Sequence, residues 1–166
     1  MSPRPLKGLL AVLLLLNFIG PSWVLASTAL HPEEIISSED LKKKLEAGED
    51  LLLLDARNKQ SFDEGHITVA VLPRGAEFYR QADLFKNGIL KEMPDTDKAL
   101  VEWVKDQPRE RLMVTYCNSD CHASEVLALR LKQLGFTRVL SMEEGFQAWE
   151  KKGYPVQREG VVGDVQ

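Results

Sequence analysis

RLMVTYCNSDCHASEVLALRLKQLGF, residues 111–136, decides how this chain folds. The apolar run RLMVTY (111–116) has the character of a buried strand. After it, Val126, Leu127, Leu129, Leu131 and Leu134 recur at helical spacing. Between strand and helix lies Cys117-Asn118-Ser119-Asp120-Cys121-His122-Ala123. A cysteine at a strand end, ahead of a short polar loop and a helix N-terminus, occupies a specific electrostatic setting. Loop and first-turn N–H groups have no intrahelical partner, and the helix dipole adds positive potential. Such a nest favours a thiolate over a thiol and can hold an anion. The chain has only two cysteines, and Cys121 shares the loop with Cys117.

On either side of this stretch, strands and helices alternate. Ser37 or Ser38 caps a helix, EDLKKKLEAG, that stops at Gly48. LLLLDAR (51–57) is apolar on both faces, as in a central parallel strand. KQSFDEGHI (59–67) reads as a short helical turn ending at Gly65, and ITVAVLP (67–73) as the next strand, closed by Pro73. Residues 74–96 mix aromatics with turn signals and read as an insertion with one helix. Asp97 begins a helix with Leu100, Val101 and Val104 inward. Strand 111–117, helix 124–134, strand 137–142 and helix 144–152 complete the order, with Gly153 as the last cap. The alternation predicts a parallel α/β sheet covered on both faces. In such sheets functional residues sit at the carboxyl ends of strands, where Cys117 and Arg57 both fall.

The N-terminus has a different character. Arg4 and Lys7 precede an apolar run, Leu9 to Ile19, interrupted only by Asn17. Pro21 and Ser22 break the run, and Val24-Leu25-Ala26 offers small residues for cleavage. Residues 1–26 therefore read as a secretory signal, with Ser27-Thr28-Ala29 as a second possible cut. An uncleaved anchor is the alternative, though the run is short of the ~20 residues a spanning helix needs. The expectation is an exported protein, periplasmic in a Gram-negative source, with no stable membrane insertion after cleavage. Residues 27–166 are then one domain of about 140 residues. Arg4 and Lys7 are the only charges removed, so this domain is more acidic than the whole chain at −4. With no basic cluster, nucleic acid is a poor partner. Exported chains use cysteines as staples, but a Cys117–Cys121 bridge would close a very small loop. The pair points to chemistry rather than scaffolding.

Three blocks in register resemble the rhodanese family: LLLLDARNKQSFDEGHI, with Asp-x-Arg and then Phe-x-x-Gly-His-Ile; MVTYC with its loop and a helix ending LKQLGF; and VLSMEEGFQAWEKKGYPV, similar to that family's terminal Gly-x-x-x-Trp-x-x-x-Gly-x-Pro block. They span roughly residues 33 to 156. The resemblance implies a parallel five-stranded sheet with helices on both faces. It also implies that Cys117 accepts a sulfane sulfur as a persulfide and passes it to a nucleophile, with thiosulfate to cyanide as the assay reaction. No cofactor is implied. The partners implied are a small sulfur-containing anion or thiol, and a protein sulfur acceptor or reductant. The chain departs from the pattern in four places. The catalytic loop is longer by one residue and carries Asp120. It contains no arginine. Glu144 stands where a glycine is common. Thr68-Val69 replaces Pro-Gly after Gly-His-Ile.

Cys117 is thus the candidate nucleophile, its alternative being a small buried hydrophobe at a strand end. Asn118, Ser119, Asp120, His122 and Ala123 form the candidate substrate loop. His122 can lend charge to the thiolate or simply be solvated. Cys121 is a candidate resolving thiol, provided that the loop folds back far enough for disulfide geometry. Asp55 and Arg57 read first as a structural pair. Arg57 and Arg74 are the candidate pocket cations. Two rivals remain: a thiol–disulfide or sulfur-relay protein using both cysteines, and a non-catalytic binding module of the same fold. Two cysteines and one histidine make an incomplete metal site. A Cys-x5-Arg phosphatase is excluded by Ala123, which supplies no guanidinium for a phosphate dianion. Cys117-x3-Cys121-His122 is one residue too long for haem attachment.

Overall fold

The computed structural model describes residues 29–75, 79, 85–86, 89–90 and 93–158; the expected signal segment and most of the expected insertion lie outside these. A 3-10 turn over Pro32–Glu34 precedes α1 (Ser38–Glu46), whose N-cap is Ser37, its hydroxyl accepting the Asp40 N–H at 3.1 Å. Then follow β1 (Leu51–Asp55), α2 (Lys59–Glu64), β2 (His66–Ile67), the short pair β3 (Phe85–Lys86) and β4 (Ile89–Leu90), and α3 (Pro94–Val104). The order ends with β5 (Leu112–Tyr116), α4 (Ala123–Gln133), β6 (Val139–Met142), α5 (Gly145–Lys151) and β7 (Val156–Gln157).

The main sheet is parallel, in the order β1-β5-β6. Every residue of the central strand β5 is buried, because both faces are covered. Side chains alternate along a strand, so Leu54 and Met113 join α3 and α4 through Leu100, Val104, Val126, Leu127 and Leu131. Leu53, Leu112, Val114 and Tyr116 join α1, α2 and α5 through Leu41, Phe62, Phe146 and Trp149. Cys117 continues the alternation and lies with the α3–α4 group.

Among the described residues the sheet falls short of the expected five strands in continuous pairing: three strands pair continuously, and single bridges flank them, Val71 to Leu54 on one side and Ile35 to Ser141 on the other. The expected strand over 67–73 is broken for a local reason. The Ala70 N–H donates to the Ile67 carbonyl at 2.9 Å, closing a turn in which Val69 takes φ +71°. Residues 66–67 instead pair antiparallel with β7. Helix α3 starts at Pro94, earlier than expected. Proline suits the first helical position, and the Asp97 carboxylate reaches back to accept the Met93 N–H at 2.9 Å. Among the described residues no helix is long and apolar enough to cross a membrane.

Candidate active site

Cys117 directly follows the central strand, at its carboxyl end, and is 1% exposed. Three supports hold its loop. The Phe146 N–H donates to the Cys117 carbonyl at 2.8 Å. The Ser119 N–H donates to Gln147 Oε1 at 3.1 Å. The loop backbone lies directly on Gly145, where a Cβ would stand 2.4 Å from the Ser119 nitrogen and 2.6 Å from the Asn118 carbonyl carbon. Gly145 also has φ +76°, so both its conformation and its neighbour demand glycine. Behind the loop, the Thr115 hydroxyl donates to the Ser124 carbonyl at 2.9 Å, tying β5 to the first turn of α4.

The expected nest is only partly formed. The Cys117 sulfur lies against the Cys121 carbonyl and points at the Asn118 carbonyl at 3.3 Å. Carbonyl oxygens stabilise a thiol as donor and oppose a thiolate. The Ser124 hydroxyl is 3.5 Å away, and it and the Ser124 N–H favour the charged form. They are outweighed: contact with the Cys121 side chain, followed by burial, pushes the Cys117 thiol well above its ordinary range. Carbonyl contacts and burial thus favour the thiol here, against the thiolate that the nest was expected to favour.

The other loop residues divide in two. Asn118 is half-buried and its carbonyl also accepts the Cys121 N–H at 3.1 Å, folding the loop back on itself. Ala123 is buried and opens α4, and its N–H donates to the Cys121 sulfur at 3.4 Å. Ser119, Asp120 and His122 are exposed. His122 is turned to Glu125, with Nδ1 3.4 Å from Oε2, rather than to either sulfur.

Neither candidate cation reaches Cys117. Arg57 is buried and bound to Asp55 through Nε at 3.0 Å and Nη2 at 2.6 Å, and to the Gly65 carbonyl at 2.6 Å. Burial would lower its pKa, but the hydrogen bonds and charge of Asp55 win and raise it. Its guanidinium stacks 4.1 Å from the Phe146 ring centroid. The Tyr116 hydroxyl donates to Asp55 at 2.7 Å and accepts the Ile67 N–H at 3.2 Å. His66 is buried, stacked on Phe62, with Nδ1 2.9 Å from the Phe62 carbonyl. This cluster braces the strand end from behind. Arg74 is exposed in a turn and makes no hydrogen bond or ion pair with the described residues.

Sequence reasoning missed Ser124, Gly145, Gln147 and the use of Glu144. Glu144 has a right-handed conformation that needs no glycine. Its carboxylate accepts the Ser38 N–H at the start of α1 and pairs with Lys152 at 2.9 Å. The departure from glycine thus links α1 to the turn under the loop. A cavity of about 230 Å³ is lined by Lys42, Leu45, Glu46, Thr68, Val69, Trp149 and Pro155, none of them from the cysteine loop.

The sequence profile of the rhodanese-like domain matches residues 37–152. A sulfurtransferase of Allochromatium vinosum is 28% identical over 122 residues, covering 73% of this chain and 92% of that protein. A tRNA uridine(34) hydroxylase of Staphylococcus carnosus is 27% identical over 119 residues, covering 70% of this chain but 31% of that longer protein. Among solved structures, the BH2092 protein of Bacillus halodurans is 25% identical with a TM-score of 0.55, over 75% of this chain and 76% of that one. The profile match covers the first two sequence blocks, the third as far as Lys152, the loop and the strand that delivers Cys117, and this chain belongs to the rhodanese-like domain family.

Proposed function

We propose that the protein is an exported sulfurtransferase in which Cys117 carries the transferred sulfur. The observation that supports this best is the placement of Cys117 at the carboxyl end of β5, with the Ser124 hydroxyl and N–H on its sulfur. Membership of the family and the sulfurtransferase relative support the reaction class. Export rests on residues 1–26 alone.

The reaction begins when the Cys117 thiol gives its proton to a solvent base. The thiolate pair attacks the outer sulfur of thiosulfate. The S–S bond breaks and sulfite leaves with the bonding electrons. A nucleophile such as cyanide then attacks the outer sulfur of the persulfide, and Cys117 leaves as thiolate. Ser124 stabilises charge on the cysteine sulfur at both stages. No arginine is present in the loop, and the guanidinium of Arg57 is occupied, so neither supplies a charged clamp for a dianion. The expected consequence is a high KM for thiosulfate.

Thiosulfate:cyanide turnover by wild type and by Cys117→Ser tests the reading. Turnover in the wild type that falls to background in the variant supports it. Equal turnover in both would remove Cys117 from the mechanism. Absence of turnover and of sulfur loading in the wild type would favour a binding module of the same fold.

A further inference from the structure

Cys121 is placed to act on Cys117. The hydrogen bond from the Cys121 N–H to the Asn118 carbonyl, 3.1 Å, turns the loop back so that residues 117 and 121 meet. The Cys117 sulfur rests against the Cys121 backbone and interacts with its side chain. Neither sulfur is in a disulfide. Their surroundings differ in balance. Cys117 is buried, and its sulfur faces two carbonyl oxygens as well as the Ser124 hydroxyl and N–H. Cys121 is half-buried, and its sulfur accepts the N–H of Ala123, the first residue of an 11-residue helix. An N–H aimed at a sulfur supports negative charge there, and the thiolate is the attacking form in exchange. Of the two, Cys121 is the better nucleophile and Cys117 the better-held target.

We propose that Cys121 resolves the Cys117 persulfide, releasing the carried sulfur as hydrogen sulfide and leaving a Cys117–Cys121 disulfide. The Cys121 thiolate attacks the inner sulfur, Cys117 Sγ. The bond between Cys117 Sγ and the outer sulfur breaks, and the outer sulfur departs as HS⁻ with the electron pair. The outer sulfur is reduced to sulfide, and the two cysteine sulfurs are oxidised to a disulfide. Turnover then needs a dithiol reductant, small or protein-borne, which opens the bridge by exchange and leaves as its own disulfide. The physiological partner is therefore a dithiol, and the net reaction is reduction of a sulfane sulfur rather than delivery to a carbon or nitrogen acceptor. The proposal rests on the reading of Cys117 as sulfur carrier.

The test uses fully reduced, desalted protein mixed with thiosulfate, in wild type, Cys121→Ser and Cys121→Ala. Intact mass and released sulfide are measured together. The expected wild-type product is lighter by two hydrogens, with one sulfide released per protein. Both variants should gain one sulfur atom, removable by cyanide, and release no sulfide until a dithiol is added. If wild type keeps the added sulfur as the variants do and releases no sulfide, the resolving role is wrong and the Cys117 reading stands. If no protein gains sulfur or releases sulfide, with thiosulfate or with inorganic polysulfide, the Cys117 reading fails and takes this proposal with it. Circular dichroism of both variants separates a lost function from a lost fold.

Discussion

A buried thiol and a half-buried thiol, four positions apart, divide the chemistry of the loop. Because Cys117 is pushed above its ordinary value of 9.0, its thiolate fraction at neutral pH is small. That fraction rises about tenfold per pH unit below the pKa. Alkylation of Cys117 in the reduced wild-type protein, mapped to that residue, should therefore speed up with pH through pH 9 without levelling off. A plateau near neutrality would mean that the loop N–H groups, not the carbonyls, face the sulfur in solution. The sign for stability follows from the same shift. A folded-state value raised above the unfolded one contributes stability that is full below pH 9.0 and is lost as pH rises further. The sequence showed that Cys117 ends a strand and precedes a helix, because both patterns are local. The direction of the loop carbonyls was not legible. It depends on where Asn118 and Ser119 are seated, and Gly145 on another element determines that.

Turns between elements carry the sharpest departures from the family pattern. Val69 is a β-branched residue at φ +71° and is 64% exposed. The left-handed region costs a non-glycine residue about 1–2 kcal/mol. Glycine returns about 0.5–1 kcal/mol of that through the freedom of the unfolded chain. Val69→Gly should raise stability by up to about 1 kcal/mol, read from denaturant midpoints at constant slope. A clear loss would show that the Val69 side chain packs more firmly than its exposure indicates. Gly145→Ala has the opposite expectation. Left-handed strain and overpacking against Ser119 together should cost about 2–4 kcal/mol, and sulfur loading of Cys117 should fall because the loop is lifted. Retained loading in a folded Gly145→Ala protein would mean that the loop position is not set from below. The apolar run at 67–73 misled because Val, Ala and Leu fit a strand equally well as single residues. The Ile67–Ala70 turn that breaks it carries no glycine to mark it.

Across the whole molecule, one buried cluster joins the strand, turn and helix that surround the site. Arg57 and Asp55 are 3% and 0% exposed, and Tyr116, Gly65 and Phe146 complete their surroundings. Arg57→Ala leaves the Asp55 carboxylate buried without its cation, a loss of about 3–5 kcal/mol. The checks are thermal and denaturant unfolding; a cost below about 1 kcal/mol would place the pair among exposed, screened ones. The Asp-x-Arg block announced this cluster in the sequence, since its members lie close along the chain. The covered parallel sheet was equally legible from the alternation of strands and helices. The width of its continuous pairing, three strands flanked by single bridges at Ile35 and Val71, was not, because a single bridge leaves no periodic trace.

The seat at Gly145 has a consequence for how such a loop can vary. Its first residues are clamped: Cys117 by the Phe146 N–H, Ser119 by Gln147, and the chain between them by a glycine that leaves no room beneath. Its end is fixed by Ala123 entering α4. Length can then change most readily between Ser119 and His122, at the exposed turn that runs through Asp120. A lineage that adds or removes a residue there redraws the rim around Cys117 while its foundations stay still. In this chain the span left open to such tinkering is the one that holds Cys121.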